Sequence, residues 1–271
     1  MKNSFELHYL TTEGPMKHLP ISENSFRVLE NANEKIENAC NYLNYCHMVK
    51  SGAMIFLTDS KELKPNSPFY FADLNRLLLS LLSNFYTWIE FCEREYKSLF
   101  TITKKKFYDS YFPYRLFYSL RKYMTHGPLG ITEASFNLLE EDSAKFYINL
   151  DKLFEKKEHL QKDLRSDLID IKRTTNRIDI TPIVDEFIKM FDALSLEFFN
   201  AIYDSSVEKQ IRISVEKIPN DIQSNMQCHV ISRNKDNEVD IRFSINGSIV
   251  SLLSKYFIFF NKKLPVLGLN V

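Results

Sequence analysis

Arg121 and His126 stand five positions apart at the end of an aromatic-rich segment, YDSYFPYRLFYSLRKYMTH (residues 108–126). An imidazole titrates near neutral pH and can serve as general acid or base. An arginine offers a planar, permanently charged fork for phosphate oxygens. The two groups suit RNA cleavage without a metal. That reaction needs a 2′-hydroxyl activated, a phosphorane neutralised and a leaving oxygen protonated. The surroundings favour an anion. Between Thr101 and His126 lie Lys104, Lys105, Lys106, Arg115, Arg121 and Lys122, with Asp109 as the sole acid. Lys104, Lys105, Lys106 and Arg115 are therefore candidate RNA contacts, and the interleaved Tyr and Phe can stack on bases.

Each of these residues also has a plainer use. Arg121 follows Tyr114, Phe117 and Tyr118 on one helical side, where an arginine can stack on aromatics or bridge a buried carboxylate. A histidine near a helix C-terminus complements the helix dipole when protonated. A run such as Lys104–Lys106 is commonly a solvated face. Five residues on an ideal helix turn through roughly 500°, which leaves Arg121 and His126 about 140° apart. Either the last turn unwinds, or the site combines residues from two subunits.

The elements that must position the pair are mainly helical. Residues 5–12 suggest a short strand. Ser22 or Ser25 then offers an N-cap to a helix carrying Phe26, Leu29, Ile36 and Leu43, expected to run to about Lys50, with Gly52 and residues 58–68 ending it. Leu74, Leu78, Leu81, Phe85, Trp88, Cys92 and Tyr96 mark a second helix whose wide apolar arc suggests a central place in a bundle. Asn84 lies on that stripe and must find a hydrogen-bond partner. Glu90 stands four residues before Arg94, the spacing of an ordinary ion pair. Both are candidate supporting residues, as are Lys122 and Tyr123. A third helix is expected over about 104–126, with Pro113 kinking it or marking its start and Gly127-Pro128 stopping it.

Beyond it, residues 145–154 read as a short strand and 155–177 as a charged helix. Thr181 reads as the cap and Pro182 as the first residue of another helix, whose stripe is Ile180, Val184, Phe187, Phe191, Leu194, Phe198 and Ile202. After residue 206, IRISVEKI, MQCHVISR and VDIRFSI alternate like strands, and LLSKYFIFF forms a final helix or strand. The expected organisation is a helical domain over 1–205 with a small α+β C-terminal region over 206–271.

Composition sets outer limits. The chain has 271 residues with a formal net charge of zero, so attraction to nucleic acid must be local. Six glycines and no GxGxxG or GxxxxGK[ST] argue against a nucleotide cradle. The longest uncharged apolar-rich run, Leu77–Ile89, is too short for a bilayer, and the N-terminus lacks a signal-peptide core. Four cysteines in such a chain fit a reducing cytoplasm. Cys40, Cys46, His47 and Cys92 form no CxxC pair, and Cys228-His229 would point to opposite strand faces. No metal site and no cofactor are expected.

The segment resembles the R-x4–6-H motif of HEPN proteins. The wider pattern resembles bacterial HEPN-like proteins through Tyr114-Arg115, Leu120-Arg121-Lys122-Tyr123, and His126 with Leu129. Residues 81–91, LLSNFYTWIEF, look like the partner helix of that group. Lys122 departs from the small polar residue common after the motif arginine. The resemblance covers roughly residues 70–205. It implies an antiparallel HEPN-like bundle and a homodimer whose motifs face each other. It also implies cleavage to a 2′,3′-cyclic phosphate and a 5′-hydroxyl. The context it implies is a toxin or antiviral defence effector, with an antitoxin or other defence-system protein as partner. The alternative is a catalytically silent HEPN-like module that binds RNA or protein.

Overall fold

Ser22 begins the longest helix. Its hydroxyl oxygen accepts the backbone N–H of Ser25 at 3.0 Å, one of the donors that a helix start leaves unpaired. The computed structural model describes residues 4–10, 16–126, 129–136, 144–203, 209–210, 212, 214, 228–233, 239–245, 249, 251–252 and 255. Seven α-helices and seven strands lie among them. The fold is mainly α, as the periodicities predict. No helix among the described residues is long and apolar enough to cross a membrane.

The chain divides into two units, residues 1–44 with 199–271, and residues 45–198. This differs from the boundary expected at 205/206. The reason lies in strand pairing. Strands β1 (Ser4–Leu10) and β2 (Met16–Ile21) form a hairpin, and β1 also pairs with β6 (His229–Arg233), which pairs with β7 (Val239–Ser244). The sheet order is β2-β1-β6-β7, so the two chain ends build one antiparallel sheet. Phe26, from the start of α1 (Glu23–Glu62), stacks on Phe5 at 4.2 Å between ring centres and lies 6.2 Å from Phe243. The stretch IRISVEKI is not a strand where it is described, because Arg212 and Ser214 are helical. Leu252 and Lys255 of the tail are helical too, and the rest of both stretches lies outside the described residues.

Helix α1 does not end near Lys50 but continues to Glu62. Gly52 is an approach point rather than a stop. A Cβ there would meet the Asn84 amide nitrogen at 2.9 Å and the Leu81 Cα at 3.5 Å. Its missing side chain lets α2 (Tyr70–Glu95) pass close by, and Asn84 Nδ2 donates to the Met48 carbonyl at 3.2 Å. The polar residue on the apolar stripe thus serves the α1–α2 crossing.

The core of the 45–198 unit is aromatic. Phe85 meets Tyr114 and Phe187 edge-on at 5.2 and 5.0 Å, and Trp88 meets Phe100 and Phe191 at 5.3 and 5.1 Å. Such edge contacts suit the ring quadrupole. Every residue of the expected stripe from Ile180 to Ile202 is buried along α7 (Ile180–Ile202). Its cap is Asp179, whose Oδ1 accepts the Thr181 N–H at 3.0 Å. Thr181 therefore lies inside the helix instead of capping it.

The expected helix over 155–177 is broken. The observed elements are α5 (Leu150–Glu155), a 3-10 turn at Lys157–His159, α6 (Lys162–Lys172) and the strand β5 (Arg177–Asp179). The strand expected over 145–154 is strand only in its first half, β4 (Lys145–Asn149), because Asn149 caps α5 by accepting the Lys152 N–H. Strand β4 pairs on either side with β3 (Ile131–Ser135) and β5. Asn75 of α2 secures the start of β3. Its Oδ1 accepts the Ile131 N–H at 2.9 Å and its Nδ2 donates to the Ile131 carbonyl at 2.8 Å.

Candidate active site

Two helices occupy the segment where one was expected, α3 (Lys97–Ser110) and α4 (Phe112–His126). Tyr111 between them is extended. The cause is Pro113, which has no N–H to give the Asp109 carbonyl four residues back. Arg115 supplies the missing donor. Its Nη1 donates to the carbonyls of Tyr108 and Asp109 at 2.8 and 2.9 Å, and its Nε to Asp167 of α6 at 2.8 Å. Arg115 therefore holds the α3–α4 corner. A guanidinium engaged in this way is poorly placed to bind phosphate.

Helix α4 stays regular to His126, which removes an unwound last turn as a way of uniting the pair. Arg121 turns toward α2. Its guanidinium carbon lies 4.0 Å from the centre of the Tyr86 ring, and Tyr86 is 6.0 Å from Tyr118. Lys104 Nζ sits 5.0 Å from the Tyr118 ring centre. These residues make a column of two rings with a cation at each end. Arg121 has no carboxylate partner among the described residues, and its Nε is buried without an acceptor. The stacking alternative is thus realised, and the carboxylate bridge is not.

His126 is exposed and turns elsewhere. Its ring stacks against that of His159, 5.8 Å away between centres and tilted by 26°. His159 ends the 3-10 turn at Lys157–His159 and sits 3.8 Å from the Glu158 carboxylate. The last turn of α4 is tied by Thr125, whose hydroxyl lies 3.1 Å from both the Arg121 and Lys122 carbonyls.

No family model matches this chain, and neither does any curated protein or solved structure.

The other predicted site residues scatter. Tyr123 is buried and its hydroxyl donates to the Lys152 carbonyl at 3.1 Å, which fixes α4 on α5. Lys104 pairs with Glu93 at 2.5 Å, and Lys106 with Glu197 at 2.7 Å. Much of the local positive charge is thus compensated by acids from other helices. Lys105 and Lys122 are exposed. Glu90 is exposed as well, and Arg94 pairs with Glu95 rather than with Glu90. Burial pushes the phenols of Tyr108, Tyr114 and Tyr123 up, so these tyrosines stay protonated at neutral pH and offer no base. Burial also pushes up the thiols of Cys40, Cys92 and Cys228, the last to about 11. Buried thiols of this kind are inert.

The residue that sequence reading missed is His159. It lies in a stretch of alternating charge that reads as a solvated helix, and nothing in its neighbours marks it. Only the 3-10 turn brings it to the end of α4.

Proposed function

We propose that this protein is a metal-independent endoribonuclease of HEPN type, acting as the effector of a toxin or defence system. The observation that carries the reading is the His126–His159 pair at the exposed end of α4. Two imidazoles can divide the labour of RNA cleavage. One removes the 2′-hydroxyl proton, and the other protonates the leaving 5′-oxygen. The 2′-oxygen attacks phosphorus, the P–O5′ bond breaks, and a 2′,3′-cyclic phosphate and a 5′-hydroxyl remain. Arg121 supplies charge to the phosphorane, with Tyr86 holding its guanidinium plane. On a regular helix Arg121 and His126 leave α4 about 140° apart, so the complete site is assembled in a twofold dimer through α4. There Arg121 of one copy faces the imidazoles of the other.

The first test is cleavage of RNA by the purified chain, with His126→Ala and Arg121→Ala as controls and sedimentation to establish the active species. The reading fails if the wild type does not cleave, or if a monomer is fully active.

The second reading is a silent module that binds RNA or protein, and one observation counts against catalysis, since it leaves few cations free for a scissile phosphate. Lys104, Lys106 and Arg115 are already engaged by acids. RNA binding without cleavage by the wild type selects it.

A further inference from the structure

Three of the six histidines meet on the four-stranded sheet. His8 of β1 is directly opposite His18 of β2 on one side and His229 of β6 on the other. Directly paired residues on neighbouring strands share a face, so His18, His8 and His229 form a row across three strands. Glu6, two residues before His8, lies on that same face. Its Oε2 is 2.8 Å from His8 Nε2 and 3.7 Å from His18 Nδ1, and the His8 and His18 ring centres are 3.8 Å apart. The three ligating atoms all lie within 4.8 Å of one another. Among the described residues no other trio of His, Cys, Asp or Glu groups its ligating atoms in this way.

We propose that Glu6, His8 and His18 bind a divalent transition-metal ion of the zinc class. Two imidazoles and a carboxylate are a zinc ligand set. With bonds of about 2.0–2.2 Å in a tetrahedron, ligand atoms stand about 3.3 Å apart, between the two separations seen here. The surroundings are those of a metal ligand set. Arg233 Nε donates to Glu6 Oε1 at 3.1 Å, which orients the carboxylate and leaves Oε2 to the histidines. A hydrogen-bonded carboxylate of this kind is a usual support for a ligand. His8 and Glu6 are mostly covered, while the His18 side chain is about half exposed (48%). The ion therefore reaches the cluster from the β2 side, and water completes the coordination. The metal ties the two strands of the N-terminal hairpin and takes no part in the chemistry proposed at α4.

The hairpin reading is independent of the nuclease reading and is tested without RNA. The full chain is stripped with chelator, dialysed and titrated with zinc chloride by calorimetry. Cobalt(II) serves as an absorbance probe of coordination. One equivalent of zinc binds at micromolar or lower concentration, cobalt shows the intense bands of a low-coordinate site, and zinc raises Tm. His18→Ala, which removes no core contact, and Glu6→Gln each weaken zinc binding at least tenfold and abolish the Tm rise. His126→Ala leaves binding unchanged. Binding only at millimolar zinc, or affinity that survives both His18→Ala and Glu6→Gln, overturns the proposal. Loss of binding in His126→Ala alone places the ion at α4 and overturns it equally. Circular dichroism of each variant separates lost ligation from lost folding.

Discussion

The rings of His126 and His159 stack at 5.8 Å between centres, one at the end of a long aromatic helix and the other in a short 3-10 turn. Neither side chain belongs to the core. Each ring is therefore replaceable without loss of fold, and the pair can be tested by chemistry alone.

His126→Ala and His159→Ala each lower the cleavage rate by about 10²-fold, the usual contribution of one acid–base group, with unchanged circular dichroism. The pH–rate profile of the wild type is bell-shaped, and each variant loses one limb. Wild-type rate and profile in the His159 variant would assign the acid–base work to His126 alone.

Arg121 combines a favourable and an unfavourable feature. Its stack on Tyr86 contributes ~0.5–2 kcal/mol, while its buried, unpartnered Nε costs ~1–3 kcal/mol. Arg121→Ala therefore destabilises by no more than about 1 kcal/mol but removes cleavage. Arg121→Lys does not restore it, because an ammonium has no planar fork. Urea unfolding and the cleavage assay together check this. A large loss of stability in Arg121→Ala would make the residue structural.

Arg115 behaves in the opposite way. Arg115→Ala opens the α3–α4 corner and leaves Asp167 unpaired, at a cost of about 2–3 kcal/mol for charged hydrogen bonds. Lys104→Ala and Lys106→Ala each cost less than about 1 kcal/mol, as exposed ion pairs do. Equal effects of the three in urea would show that the corner does not depend on Arg115.

Gly52→Ala sets a Cβ against the Asn84 amide. In the wild-type background the clash displaces the Asn84–Met48 hydrogen bond and destabilises by about 1 kcal/mol. With Asn84→Ala already present, the same change is neutral or stabilising, because alanine favours a helix interior over glycine by about 1 kcal/mol. A double-mutant cycle measures that coupling. Additive effects would place the close approach elsewhere.

The helices on which the site rests were legible where apolar residues repeat with one period. The stripes from Leu74 to Cys92 and from Ile180 to Ile202 are buried along their length. Breaks and pairings were less legible, because they depend on partners far along the chain. The end of α3 is decided by Pro113, Arg115 and Asp167 together. Strand β3 is fixed by Asn75, fifty-six residues before Ile131. His159 and His18 carry no local signal. Their neighbours arise from a 3-10 turn and from strand register, neither of which periodicity reports. Arg121 and His126 were readable as a pair, but their division between two faces of α4 required the helix to stay regular to its last residue.

The central claim is most directly tested by incubating RNA with purified wild-type and His126→Ala protein in EDTA, followed by analysis of the product ends. The account predicts cleavage that persists in chelator, products with a 2′,3′-cyclic phosphate and a 5′-hydroxyl, and loss of about 10²-fold or more in the variant. Cleavage that disappears in EDTA and returns with a divalent ion, or that proceeds at the wild-type rate without His126, would contradict it.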